Sequence, residues 1–179
     1  MPQIIGVVGP SGVGKDTVMA ALARARPGIR LVRRVITRDV DAGGEAFTSV
    51  SPTEFAQMQA AEEFALHWQA HGLSYGIPII EILPRNADEV LLVNLSRSVL
   101  DQARARFGGF RILSLTASPE ALARRLSGRG RESAAEIMQR LSRADYARPV
   151  GSDVLEVANN GTLKDTVSAV LGALYPVRA

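Results

Sequence analysis

The chain has 179 residues, enough to bury one good hydrophobic core, and we therefore expect a single domain spanning 1–179. With 46% hydrophobic and 22% charged residues the composition is typical of a soluble globular protein, and no apolar run approaches the roughly 18 residues that cross a bilayer. A net charge of +3 does not by itself indicate nucleic-acid binding, and the absence of cysteine excludes a disulfide framework, a thiolate nucleophile and a cysteine zinc site. These features favour a cytoplasmic protein that binds neither nucleic acid nor a membrane.

Short apolar runs alternate with helical patterns along the chain. The run Ile4–Val8 predicts a buried strand, and since no basic residue precedes it, we do not expect a signal peptide. Further buried strands are predicted at 90–93, 112–115 and 154–157. Helices are predicted at 17–26, at 98–107, from Ser118-Pro119 onward, at 134–146 and at 162–174. Such alternation is typical of right-handed βαβ units, so the predicted fold class is α/β with a parallel sheet flanked by helices.

The interval of about 33–86 interrupts this alternation and leaves 1–32 and 87–179 as the core. It contains a capping box that begins at Ser51 and predicts a short helix, and later the only tryptophan, Trp68. His67 and His71 have the spacing of two metal ligands on one helical face, but no third ligand stands near and Gly72 interrupts the helix. We interpret the interval as an insertion that binds the second substrate, with Trp68 in packing or in a pocket wall.

A glycine-rich loop follows the first strand. In the pattern Gly-x-x-x-x-Gly-Lys, backbone N–H groups surround the β- and γ-phosphates of a nucleotide, and the next helix offers its positive N-terminus. Lys15 is one of only two lysines among 21 basic residues, which indicates that its compact ammonium is needed there. A glycine-rich turn with an incidental lysine is the alternative, and the strand-loop-helix context argues against it. The residues predicted to bind ATP are Gly9, Pro10, Ser11, Gly12, Val13, Gly14, Lys15, Asp16 and Thr17.

Position 16 departs from the usual pattern, because Asp16 replaces the hydroxyl residue that binds Mg²⁺. A carboxylate is a good ligand for Mg²⁺, whereas beside a triphosphate it would be repelled unless the metal lay between them. We therefore predict that Asp16 holds Mg²⁺, directly or through water. In the alternative, Thr17 takes over this role and Asp16 faces solvent.

Several further motifs occur in an informative order: Thr37-Arg38 with Gly44-Glu45, the segment from Phe64 to Gly76, the arginine-rich stretch 124–143, and Val157 to Gly161. Together with the loop they resemble the guanylate kinase family over nearly the whole chain. The resemblance implies a P-loop NTPase fold of the nucleoside monophosphate kinase type, with an acceptor-binding insertion and a lid at about 127–136. It also implies that Asn159 contacts ATP. The residues it implies as catalytic are Lys15, Arg129 and Arg140, with Arg131 and Arg143 as weaker candidates beside the alternative of a solvated helix face.

The departures from that family concern the acceptor. Where guanylate kinases read guanine with a glutamate and a hydroxyl residue, this chain has Leu66 and Ile77, and a phosphate-binding tyrosine is replaced by Phe47. A site that has lost such polar groups discriminates poorly for a base, so GMP is an unexpected acceptor. The acidic residue after the central strand is replaced by Asn94, a loss that we link to the gain of Asp16. The predicted substrate-binding residues, which suit a phosphorylated sugar, are Arg33, Arg34, Arg38, Glu45, His71 and Tyr75.

A closer resemblance concerns the segments 33–38, 41–45 and 64–78 and the variant loop Gly-Lys-Asp, which look like those of ribose 1,5-bisphosphate phosphokinases, the guanylate kinase-like enzymes of bacterial phosphonate breakdown. This resemblance implies ATP-dependent phosphorylation of ribose 1,5-bisphosphate to 5-phosphoribosyl 1-diphosphate, with release of ADP. Two alternatives stay open: a nucleoside monophosphate kinase with altered base choice, and a non-catalytic module that binds protein ligands. The oligomeric state is also open, a homodimer included.

Overall fold

The computed structural model describes residues 2–39, 46–86, 88–127 and 148–176, with side chains excluded at 126 and 127. The predicted helix at 134–146 and most of the predicted lid therefore lie outside the described residues. Within the described ranges, no helix is both long enough and apolar enough to cross a membrane.

Nine strands are described, and five of them form a parallel sheet. In chain order the strands are β1 Gln3–Val8, β2 Ile29–Leu31, β3 Arg34–Ile36, β4 Phe47–Ser49, β5 Phe64–Ala70, β6 Leu73–Pro78, β7 Val90–Asn94, β8 Arg111–Thr116 and β9 Val154–Ala158. The parallel sheet has the order β2-β7-β1-β8-β9, with β1 in the middle. Ligands of open parallel sheets bind beyond the carboxyl ends of the strands, next to the point where the strand order reverses. The loop that follows β1 leaves the sheet at that edge.

The described helices agree with the predicted ones to within one or two residues at most ends. They are α1 Lys15–Ala25, α2 Pro52–Ala60, α3 Ile79–Ile82, α4 Leu100–Arg106, α5 Pro119–Ser127 and α6 Leu163–Leu174. A 3₁₀ turn at Arg97–Val99 precedes α4. Ser51 and Thr162 each begin a helix with a reciprocal capping box, which satisfies backbone N–H groups that the first helical turn leaves unbonded.

A second sheet, of order β4-β3-β6-β5, occupies the interval predicted as the insertion. It includes the hairpin of β5 and β6, in which His71 and Gly72 form the two-residue turn with φ of 53° and 74°. Positive φ at both turn positions matches the right-handed twist of the strands. His67 and His71 do not lie on one helical face, because His67 lies within β5 and His71 at the hairpin tip.

The two sheets share a hydrophobic core. Leu66, Trp68 and Ile77 of the hairpin pack in the same buried cluster as Leu91 of β7 and Ile112 of β8. The opposite face of the parallel sheet is covered by α1 and α6, which bury a second cluster around Leu22 and Val170. The wall that carries the acceptor-side residues is thus continuous with the sheet that carries the nucleotide loop.

An ion pair between the half-buried Arg30 and the buried Glu89 lies where the chain passes from the parallel sheet to the second sheet and back. Arg30 of β2 donates from Nε to Glu89 Oε1 at 2.7 Å and from Nη2 to Glu89 Oε2 at 3.1 Å. The same guanidinium donates to the backbone carbonyls of Glu81 and Leu83, at 2.9 and 3.0 Å. Because Arg30 precedes the segment and Glu81 and Leu83 close it, this clasp fixes where the chain leaves and re-enters the parallel sheet.

Candidate active site

The loop between β1 and α1 has the backbone of a phosphate-binding loop. Gly14 is the N-cap of α1 with φ of 92°, a left-handed conformation that favours glycine. At Gly9 a Cβ atom would lie 2.5 Å from the carbonyl oxygen of Leu115 and 2.9 Å from Cγ1 of Val13, so the position has no space for a side chain. The glycines of the motif are therefore required by dihedral angle at one end of the loop and by close backbone approach at the other.

Lys15 begins α1 and folds back across this loop. Its Nζ donates a hydrogen bond to the carbonyl oxygen of Gly9 at 3.0 Å. The ammonium is thus held over the same turn of backbone whose N–H groups and helix N-terminus favour anions. Loop, lysine and helix end together form an arrangement that can bind the phosphates of a nucleotide.

A buried side-chain network supports the loop from below. Asn159 Nδ2 donates to the carbonyl of Val13 at 2.8 Å, and the hydroxyl of Thr166 on α6 donates to Asn159 Oδ1 at 2.7 Å. Arg125 of α5 donates to the same Val13 carbonyl at 3.3 Å and to the carbonyl of Asn159 at 2.7 Å. Asn159, predicted to contact ATP, therefore has both ends of its amide bonded to protein and positions the loop.

Asp16 and Asn94 meet at the carboxyl ends of β1 and β7. Asn94 Nδ2 donates to Asp16 Oδ1 at 3.1 Å, and both Asp16 and Thr17 are exposed in the first turn of α1. The two positions that the sequence analysis linked, a carboxylate gained and a carboxylate lost, are thus in direct contact. The amide orients the carboxylate through one oxygen, and a hard oxygen ligand of this kind beside the phosphate loop fits Mg²⁺.

Arg34 is the only buried arginine or lysine among the described residues, at 8% exposure. Its guanidinium carbon lies 5.2 Å from the ring centre of Tyr75 and 5.9 Å from that of Trp68. The two rings stack on each other at 5.3 Å with planes 8° apart. Burial lowers the pKa of Arg34 to about 10, an effect that Tyr75 and Asp16 partly oppose and the nearby positive charge of Arg38 reinforces. Arg34 is still cationic at neutral pH.

Arg38 lies next to this cluster, over the ring of Phe47. Its guanidinium carbon lies 4.5 Å above the ring of Phe47, and Phe47 is the residue paired with Arg34 between β3 and β4. Arg33 is placed differently: it is exposed, and its Nη2 donates to the carbonyl of Phe47 at 3.0 Å while its backbone N–H donates to Glu81. The structure therefore brings Arg34, Arg38 and Tyr75 together and ties Arg33 to backbone on β4 and to α3.

The remaining predicted site residues do not join this cluster in the described part of the chain. His71 is exposed at the hairpin tip, at a positive φ of 53°. Glu45, Arg129 and Arg140, together with Arg131 and Arg143, lie outside the described residues. Among the residues that are described, no three histidine or acidic side chains come together as a metal site.

Comparison with known proteins assigns the family. Ribose 1,5-bisphosphate phosphokinase PhnN of Ruegeria sp. (strain TM1040) is 53% identical over 178 residues, which cover 98% of this chain and 93% of that protein. The enzyme of the same name from Agrobacterium fabrum is 44% identical over 174 residues, covering 96% and 95% of the two chains. The chain belongs to the ribose 1,5-bisphosphate phosphokinase family. A family model described as an AAA domain also matches, over residues 5–145, and the chain belongs to that wider family as well.

Solved structures confirm the predicted α/β, P-loop kinase fold of this phosphokinase family member. Guanylate kinase from Anaplasma phagocytophilum superposes with a TM-score of 0.61 at 19% identity, covering 97% of this chain and 84% of that one. A gluconokinase from Sinorhizobium meliloti 1021 gives a TM-score of 0.56 at 21% identity, covering 97% and 91%.

The contacts through which Arg125 and Thr166 support the phosphate loop were not predicted from the sequence. Both act through contacts between elements far apart in the chain, Arg125 on Val13 and Thr166 on Asn159. A threonine in the first turn of a helix or an arginine in an arginine-rich stretch carries no local signal of such a contact. Asn159, by contrast, was predicted, because its place after a buried strand indicated the nucleotide side of the sheet.

Proposed function

We propose that this chain transfers the γ-phosphoryl group of ATP to ribose 1,5-bisphosphate, giving 5-phosphoribosyl 1-diphosphate and ADP. The observation that carries the proposal is the combination of a complete phosphate loop with an acceptor wall that lacks base-reading groups. Leu66 and Ile77 are buried at 2% and 1% exposure, and the buried cation Arg34 lies against Trp68 and Tyr75 of the same two strands. Such a wall favours an anionic acceptor over a nucleobase. Family membership, at 53% identity to a named phosphokinase, supports the same reaction.

The chemistry needs positioning and charge stabilisation more than covalent help. The product bears its diphosphate on carbon 1, so the accepting group is the 1-phosphate and the 5-phosphate does not react. An oxygen of the 1-phosphate forms a bond to the γ-phosphorus while the bond from that phosphorus to the β–γ bridging oxygen breaks, and the electron pair remains on ADP. Because the attacking oxygen is already anionic near neutral pH, no general base is required.

The residues of the loop supply the electrostatic part of catalysis. Backbone N–H groups from Gly9 to Lys15 hold the β- and γ-phosphates, and the ammonium of Lys15 follows the charge that develops between them. Arg129 and Arg140 are proposed to close over the transferring group and exclude water. Mg²⁺ held by Asp16, with Thr17 beside it, would neutralise charge on the transferring phosphates.

A coupled assay of ADP release tests the proposal with ribose 1,5-bisphosphate, GMP and AMP as acceptors at equal concentration. We expect turnover of ribose 1,5-bisphosphate at a kcat/KM at least about 10²-fold above that for either nucleotide, because an acceptor wall without polar partners leaves the base edges unpaired. Comparable efficiency with GMP or AMP would favour a nucleoside monophosphate kinase, and no turnover of any acceptor would favour a non-catalytic module.

A further inference from the structure

Two cations converge on one side of the second sheet. Arg34 begins β3, and Arg38 follows it, yet the guanidinium of Arg38 folds back over Phe47, the cross-strand partner of Arg34. Burial is the main cause of the lowered pKa of Arg34, and the positive charge of Arg38 makes a smaller contribution in the same direction. Each of the two guanidinium groups lies against an aromatic face. Because the two positive charges repel each other, an anion that binds between or beside them stabilises the pair.

The two cations differ in depth. Arg34 is 8% exposed, and the rings beside it, Trp68 and Tyr75, belong to or pack on the main core. Arg38 is half-buried at the end of β3, two residues past its last strand position. A ligand group at Arg34 would therefore lie against aromatic rings of the core, whereas a ligand group at Arg38 would lie nearer the solvent.

We propose that Arg34 binds the phosphate of the sugar that does not react, the 5-phosphate, and thereby selects a bisphosphorylated acceptor, while Arg38 serves the accepting 1-phosphate. This assignment rests on the proposed function. A strongly paired, buried cation on the accepting phosphate would withdraw electron density from the attacking oxygen and stabilise the ground state, which slows transfer. On the phosphate that does not react, the same contact supplies binding energy and orientation without that cost.

The depth of Arg34 also explains how a small acceptor is discriminated. An acceptor without a 5-phosphate would lack the charged group that this buried cation binds, and a site built around a buried polar contact discriminates strongly against an analogue that lacks the matching group. The aromatic rings hold the guanidinium in one place, so that the distance between the two phosphate subsites is fixed. Residue 34 is thus a specificity-determining residue for the number of phosphates on the sugar.

Two measurements separate the subsites. The first compares kcat/KM for ribose 1,5-bisphosphate with that for ribose 1-phosphate, which retains the accepting group alone. The second measures inhibition by ribose 5-phosphate, which retains only the phosphate that does not react. This measurement does not require ribose 5-phosphate itself to be phosphorylated. Both use the full chain as wild type, Arg34→Met, Arg34→Lys and Arg38→Met, with Arg24→Met on the exposed face of α1 as a matched control.

We expect Arg34→Met to lower kcat/KM for ribose 1,5-bisphosphate about 10²–10³-fold, to leave any activity on ribose 1-phosphate within a few fold, and to raise the Ki of ribose 5-phosphate about 10²-fold. Arg34→Lys should recover part of each loss, because the charge returns without the planar fork. Arg38→Met should lower activity on both acceptors and leave the Ki of ribose 5-phosphate within a few fold. Arg24→Met should behave as wild type.

Equal losses on both acceptors in Arg34→Met, or an unchanged Ki for ribose 5-phosphate, would overturn the assignment of Arg34. These outcomes are distinct from failure of the proposed function, in which the wild type itself does not phosphorylate ribose 1,5-bisphosphate. Melting temperatures of all variants identify a loss of activity that is due to unfolding. Because the Ki of ribose 5-phosphate is measured on the folded fraction, comparing its value in Arg34→Met and Arg34→Lys tests the assignment even if one variant is less stable.

Discussion

At the scale of single residues, the side chains that matter most around the nucleotide loop work in pairs. Asn159 supports Val13, and Asn94 orients Asp16. All four residues were identifiable from the sequence, because the place of each in the loop motif or after a strand indicated the nucleotide side. The atoms through which they make contact depend on which strands lie side by side, and a single sequence does not contain that information.

Asn159→Ala tests the support beneath the loop. The substitution leaves the hydroxyl of Thr166 without its buried acceptor and removes one of the donors to the Val13 carbonyl, so we expect a loss of about 1–3 kcal/mol of unfolding free energy and a higher KM for ATP. Urea unfolding and ATP titration of the initial rate measure the two effects. Thr166→Val is the control, since it keeps the Asn159–Val13 bond and should leave the KM for ATP within a few fold.

Asp16→Asn tests the predicted metal ligand. Removing the carboxylate charge while keeping the side-chain shape should raise the Mg²⁺ concentration for half-maximal rate about tenfold or more, because Mg²⁺ prefers an anionic oxygen. Binding of Mn²⁺ to the ATP complex, followed by electron paramagnetic resonance, gives a readout without turnover. The matched variant is Thr17→Val: if it weakens metal binding and Asp16→Asn does not, the hydroxyl is the ligand.

At the scale of elements, buried strands and capped helices were predictable and the second sheet was not. The run at β7 is continuous and apolar, and the runs at β8 and β9 are each interrupted by one polar residue, Ser114 and Glu156. Ser51 and Thr162 stand at the starts of helices as capping residues. The hairpin of β5 and β6 was not predicted, because the interval was interpreted only as an insertion that interrupts the alternation of strands and helices. Its signal was nonetheless local, since His71-Gly72 lies between two runs rich in apolar and aromatic residues.

Glu89→Gln tests the clasp that joins these elements. The hydrogen bond from Arg30 lowers the pKa of Glu89 below its ordinary value of 4.5. The stabilisation is therefore fully present above about pH 4.5 and is lost as the pH falls through the lowered value. Removing the charge leaves the half-buried Arg30 with the Glu81 carboxylate and two backbone carbonyls as its remaining partners, and we expect a loss of about 1–3 kcal/mol at pH 7 in denaturant unfolding.

The control for the clasp is Glu81→Gln. Glu81 lies 3.6 Å from Arg30 and is more exposed than Glu89, so its replacement should cost less than about 1 kcal/mol. Equal losses in the two variants, or a Glu89→Gln protein whose stability falls in acid as steeply as that of the wild type, would show that the pair does not stabilise the fold.

At the scale of the whole molecule, the nucleotide half and the acceptor half are parts of one packed body in the described residues. The hairpin contributes Leu66, Trp68 and Ile77 to the core beneath β7, and Arg106 of α4 donates to the carbonyl of Ala65 at 3.3 Å. The sequence indicated an insertion, since the rhythm of strands and helices stops at about residue 33. That the insertion would share a core with the parallel sheet follows only from the tertiary arrangement.

The buried cation at Arg34 gives the protein a trade-off between stability and activity. Because burial holds the pKa of Arg34 at about 10, well below that of a solvated arginine, the charge disfavours the folded state below about pH 10. We expect Arg34→Met to melt at the same temperature as the wild type or higher in a thermal scan at pH 7, although its kcat/KM for ribose 1,5-bisphosphate should fall. A lower melting temperature would mean that the arginine stabilises its surroundings. If the expectation holds, selection for thermal robustness alone would eliminate this arginine, and only selection for turnover would retain it.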